Sequence, residues 1–267
     1  MTGLKNDSAA YGLKRGTNKI QAVFTELLWA TDEACSNRFG KRLLAAYVAG
    51  SVASGEAYPG ASDLDWFAFI DAEPLPADRA WRRRKEARLA ARFPVVSQVH
   101  LNVIPLARLE RESFWRFILR YNAARVRGAD LVKRLELEGI RTPRPDAALA
   151  RLRLPFVRKC LTEAMAGRQV PALAQLPRDD ALAIRKLARN FVLVEGAHLL
   201  MAFRTFKSFS RADVLRGLSK AAPQWRDVYE LADRVLDDPY SVVIGRHEFM
   251  KELRPFVEWL INTIEKS

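Results

Sequence analysis

Two aspartates one residue apart, Asp63 and Asp65, open the apolar run LDWFAFI, and a Gly50-Ser51 pair stands about a dozen residues before them. Side chains at i and i+2 of a strand point to one face, so the two carboxylates are presented side by side. Like charges held that close repel and raise each other's pKa unless a cation sits between them. Mg²⁺, which takes oxygen ligands, keeps several waters and bridges phosphates, is the expected partner. Gly50 permits close approach of the backbone to a phosphate. Ser51 adds a hydroxyl and a backbone N–H, and Ser62 caps the turn before Asp63. Types and spacing together read as a seat for a divalent metal and a phosphate. The bland alternative is a Gly-rich turn with two solvated carboxylates, and Asp is disfavoured in strands without a reason.

These residues need elements to position them. Residues 19–38 carry Ile20, Val23, Phe24, Leu27 and Leu28 at helical spacing. RLLAAYVAG reads as a buried strand ending at Gly50, and LDWFAFI as a second strand. ADRAWRRRKEARLAARF reads as a strongly basic helix, and PVVSQVHLNVIPL as a third strand stopped by proline. From about Glu110 strand signals fade. ESFWRFILRYNAARVRG, DDALAIRKLARNFVLVEGAHLLMAF, DVLRGLS, PQWRDVYELADRVL and HEFMKELRPFVEWLINTI all read as helices. The two prolines of RTPRPD, Arg141 to Asp146, mark the linker. The expected class is α+β: a sheet domain over 1–142 followed by an all-α bundle over 143–267.

Gly50-Ser51 … Ser62-Asp63-Leu64-Asp65 resembles the signature of the nucleotidyltransferase superfamily. RVRGADL, ARNFVLVEGAHLLMAFRTFKSFSRADV and PQWRDVYELADRVL resemble, more loosely, the helical half of streptomycin/spectinomycin-type aminoglycoside adenylyltransferases. The resemblance implies an α/β nucleotide-binding domain, a helical domain, and ATP or another NTP as co-substrate with Mg²⁺ on Asp63 and Asp65. It also implies a third acid on the next core strand, and there this chain departs from it. His100 stands at that position, or Asn102 two residues on. A neutral imidazole can take a proton from an acceptor hydroxyl, since its ordinary pKa is near 6.5, but it suits Mg²⁺ poorly as a ligand. A structural histidine with the base elsewhere, or lost catalysis, are the other readings.

Phosphates call for cations from the helical half. Arg189, one turn from Arg185, and Lys207 in FKSFSR are the candidates, against the common reading of solvated basic residues. Glu195 lies within the apolar stretch FVLVEGAHLLM. An acid there needs a partner or a cleft, so it is a second candidate for the base or for acceptor contact.

The net charge of +13 is spread over both halves of the 267 residues. It favours anionic partners and argues against a polycationic ligand; a proteome-wide basic bias is the alternative. The first residues, MTGLKNDSAAYGLKRG, show no apolar leader, and no run is long enough to span a membrane. Cys35 and Cys160 are far apart and without metal spacing, as suits reduced thiols in the cytoplasm. The sequence also lacks a P-loop, a Gly-x-Ser-x-Gly elbow and a dinucleotide fingerprint. The expected activity is transfer of a nucleoside monophosphate, AMP from ATP, to the hydroxyl of a small-molecule, aminoglycoside-like acceptor. Transfer to RNA, or nucleotide binding without catalysis, are the rivals.

Overall fold

An apolar run with no polar alternation, such as LLAAYVA, is suited to the inside of a sheet, where both faces are covered. The computed structural model describes residues 19–166 and 176–267, and the expectation about an N-terminal leader falls outside them. LLAAYVA forms β1 (Leu43–Ala49), and the sheet runs β3-β2-β1-β4. The other strands are β2 (Leu64–Ile70), β3 (Val99–Pro105) and β4 (Ala123–Gly128). β1 is antiparallel to β2 and β4, while β3 is parallel to β2.

The described chain divides into two compact units. The first is Met1–Pro59 with Asp63–Thr142, and the second is Gly60–Ser62 with Pro143–Ser267. In the first, α1 (Thr25–Phe39) and α3 (Pro76–Arg92) cover one face of the sheet, burying Leu27, Leu28, Cys35 and Leu89 against Val48, Trp66, Leu101 and Val126. The other face buries Tyr47, Phe67, Phe69 and Ile104 with Leu109, Leu119, Leu131 and Leu135. These come from α4 (Leu106–Arg111), α5 (Ser113–Tyr121) and α6 (Leu131–Leu137). A five-residue helix, α2 (Gly50–Ser54), follows β1 directly.

α3 begins with Pro76, whose missing N–H costs nothing in a first turn. Asp78, 1 % exposed, accepts from Leu75 N at 3.0 Å, from Arg38 Nε at 2.9 Å and from Arg42 Nη2 at 3.0 Å. On the other side Glu86 Oε1 accepts Leu101 N at 2.8 Å, which satisfies a backbone donor on the outer strand β3.

One expectation is corrected here. ESFWRFILRYNAARVRG is not one helix: α5 ends at Tyr121 and its last residues are β4. Asn122 leaves helical geometry (φ −139°, ψ 18°), and from Ala123 the chain pairs with β1, Ala49↔Ala123 to Ala45↔Gly128. Long-range pairing outcompetes the local helical pattern because it fills the second side of β1. The third strand is also shorter than its apolar run, since Pro94–Gln98 lie outside β3.

The second unit is helical among its described residues. It holds α7 (Ala147–Arg151), α8 (Leu154–Met165), α9 (Asp180–Ala188), α10 (Glu195–Ala202), α11 (Arg211–Ala221), α12 (Arg226–Asp237) and α13 (Arg246–Lys266). A π-helical turn, Arg189–Val194, joins α9 to α10. Among the described residues no helix is long and apolar enough to cross a membrane.

Candidate active site

The parallel register pairs Asp65 with His100, and the antiparallel one pairs Asp65 with Ala49. Paired residues share a face, so His100, Asp65 and Ala49 form one row across the sheet. Trp66 and Leu101 point into the core on the opposite face, which leaves Asp65 and His100 on the side away from α3. Asp63 stands just before β2, and ligand atoms of Asp63, Asp65 and His100 all lie within 4.8 Å of one another. His100 Nε2 is 3.7 Å from Asp63 Oδ2, with side-chain exposures of 37 % and 27 %. The group is half-exposed, as a site that receives a ligand must be.

Gly50 abuts this group. It has φ +71°, which glycine adopts without strain, and its N–H donates to Asn122 O at 3.0 Å. A Cβ added there would lie 3.4 Å from Asp65 Oδ2, so a side chain at position 50 would line the carboxylate. Ser51, in the first turn of α2, is buried, and its carbonyl accepts Glu56 N at 3.0 Å. Ser62 precedes Asp63 in the connection to β2. The donor set tests the metal. Two carboxylates match the oxygen preference of Mg²⁺, and the imidazole does not, so Asp63 and Asp65 would hold the ion with His100 beside it.

The other candidates lie in the second unit. Arg189 opens the π-helical turn and is half-buried; Lys207 is exposed in the segment between α10 and α11. Glu195 is 3 % exposed, and its Oε1 accepts from Arg153 Nη2 at 2.9 Å. His198 Nδ1 lies 2.7 Å from Val194 O and 3.4 Å from Glu195 Oε2. A carbonyl only accepts, so the Nδ1 proton is donated to Val194 O, and Glu195 Oε2 makes the longer approach to the same nitrogen. Burial would push the Glu195 carboxyl up, but the Arg153 charge, aided by His198, outweighs it and holds it below the usual carboxylate range. A carboxylate so stabilised in its charged form is a weak proton acceptor.

Sequence reasoning passed over the partners that explain Glu195, namely Arg153 and His198, because each contact depends on how the helices turn. It also passed over Arg125. The alternation Ala123, Arg125 within β4 places Arg125 opposite Tyr47, on the same sheet face as Asp65, a signal hidden once that stretch is read as helix.

No protein-family model matches the chain, and no curated protein matches it. A solved structure does: the crystal structure of spectinomycin adenyltransferase AAD(9) from Enterococcus faecialis with ATP and spectinomycin. It shares 12 % identity over 90 % of this chain and 99 % of that one, with a TM-score of 0.55. At that identity the likeness speaks for the fold alone: in fold this chain is similar to AAD(9).

Proposed function

We propose that the protein transfers a nucleoside monophosphate, AMP from ATP, to an acceptor hydroxyl. The observation that carries this reading is the gathering of Asp63, Asp65 and His100 within 4.8 Å beside Gly50. The adenyltransferase fold, in a neighbour solved with ATP and spectinomycin, supports it. Gly50 and Ser51 seat the triphosphate, and Asp63 and Asp65 hold Mg²⁺. Bound there, the ion neutralises the triphosphate and helps pyrophosphate depart. His100 takes the proton from the acceptor hydroxyl as its oxygen attacks the α-phosphorus and the bond to pyrophosphate breaks. A cytoplasmic setting, rich in ATP and Mg²⁺, suits this chemistry.

The neighbour's spectinomycin supports a small-molecule acceptor. RNA is the second reading, favoured by the net charge of +13, which disfavours a polycation. The decisive experiment follows label from α-labelled ATP with Mg²⁺ and with EDTA, for the wild type and Asp63→Ala. Transfer is expected only in the wild type with metal. Full activity in Asp63→Ala refutes the site.

A further inference from the structure

The basic helix α3 covers the sheet face opposite Asp65 and His100, and transfer chemistry makes no use of its charges. At about 100° per residue, its inner side is set by the buried Asp78 and Leu89, with Trp81 packed on the same core. The outward side carries Ala80, Ala87 and Ala91 down its middle. Arg79 and Arg83 flank this strip on one edge, and Arg84, Arg88 and Arg92 on the other. Within each row successive guanidiniums are four residues, about 6 Å of helix rise, apart. All five arginines are exposed.

These charges are not spent inside the protein. The acids of α3 itself are engaged inward: Asp78 by Arg38 and Arg42, and Glu86 by Leu101 N at 2.8 Å and Arg82 at 3.7 Å. None of the five flanking arginines has an acidic partner among the described residues. In the same unit Arg108, Arg120, Arg127 and Arg134 each sit on a carboxylate. Five like charges along about 20 Å of one helix repel one another, a cost that a polyanion laid on them offsets.

The shape of the surface selects among polyanions. An anionic bilayer calls for an apolar helix face to bury, and the one α3 has is committed to the core. A single strand calls for aromatic platforms, and Trp81 and Phe93 pack inward, with Arg92 lying 4.9 Å over the Phe93 ring. An acidic protein calls for apolar anchors between the charges, where α3 offers only alanine methyls. A duplex asks for guanidiniums on phosphates and little else. A helix of about 10–12 Å diameter matches the major groove of B-form DNA, about 12 Å wide, and the small alanines let it settle between the two phosphate rims.

We propose that the outward face of α3 is a docking surface for double-stranded DNA, with one arginine row on each rim of the groove. The contacts are to phosphates, so binding is indifferent to base sequence. The inference stands apart from the transfer reading, because the surface and the Asp65/His100 group lie on opposite faces of the sheet.

The test is fluorescence anisotropy of a labelled mixed-sequence DNA duplex with the full-length protein, titrated from low to high salt. Five phosphate contacts give a slope of log K against log salt of about −4.5, at about −0.9 each. Arg83→Gln/Arg84→Gln/Arg88→Gln, at exposed positions and checked for folding by circular dichroism, is expected to weaken binding at least tenfold and flatten the slope by about 2.7. Arg134→Gln/Arg216→Gln/Arg254→Gln removes the same three charges from exposed, already paired positions and is expected to leave both nearly unchanged. Equal weakening in the two triple variants assigns binding to net charge and overturns the proposal. So does failure of the wild type to bind the duplex at low salt. Tighter binding to a single strand, to an RNA duplex or to vesicles of phosphatidylserine and phosphatidylcholine in equal parts overturns it as well.

Discussion

At the scale of single residues, the two proton-acceptor candidates separate on environment. His100 is partly exposed beside Asp63, whereas Glu195 is buried and paired with Arg153. His100→Ala is therefore expected to lower kcat by about 10²–10⁴ with nucleotide binding retained. Glu195→Gln should leave most of kcat intact, while Glu195→Ala costs about 3 kcal/mol by stranding the Arg153 charge. Steady-state kinetics beside urea unfolding of the three variants checks this; the reverse pattern would make Glu195 the base. Asp78 supplies a pH signature. Burial alone would push its carboxyl up, but the Leu75 amide and the guanidiniums of Arg42 and Arg38 hold it below the usual range. A depressed folded-state pKa contributes stability above the unfolded value, ~3.9, and loses it as pH falls through the folded value. Below about pH 4 the stability of Asp78→Asn should fall less steeply with pH than that of the wild type. At neutral pH the substitution should cost about 1–3 kcal/mol, and denaturant midpoints from pH 3 to 7 measure both.

At the scale of elements, β4 shows how tertiary pairing overrides local pattern. Gly128, where β4 ends, has φ +78°, and a Cβ there would meet Leu44 O at 2.1 Å. Gly128→Ala is expected to lose about 3 kcal/mol or more, through left-handed strain and the clash with β1. Gly139→Ala, with φ +85° and nothing within 4 Å, should lose only about 1 kcal/mol. Equal thermal melts for the two would remove the clash as the reason. LDWFAFI was legible as a strand to its end residues, because a β-branched and aromatic run bounded by turn residues has one outcome. RYNAARVRG was not legible, because short Ala-Arg alternation fits a helix face as well as a strand until β1 presents an unpaired edge.

At the scale of the whole molecule, +13 is divided unevenly between ion pairs and open cations such as Arg125. Retention on a phosphate-bearing resin at about 0.05 M salt, with release as salt rises, is expected from a net positive charge of this size. Flow-through at low salt would remove the charge as an argument for an anionic partner. What the sequence determined by itself was whatever depends on near neighbours in the chain. Gly50-Ser51 and Asp63-Leu64-Asp65 announce paired carboxylates and a tight turn because the strand period and glycine's freedom act within a few residues. The helical periodicities of the second half are read from neighbours in the same way. Tertiary structure alone decided that Asp65 sits beside His100, that Glu195 is neutralised by Arg153 from 42 residues away, and that Arg125 shares the face of the candidate site. Each of these depends on strand order, register or helix packing, which contacts distant in sequence select and no local pattern encodes.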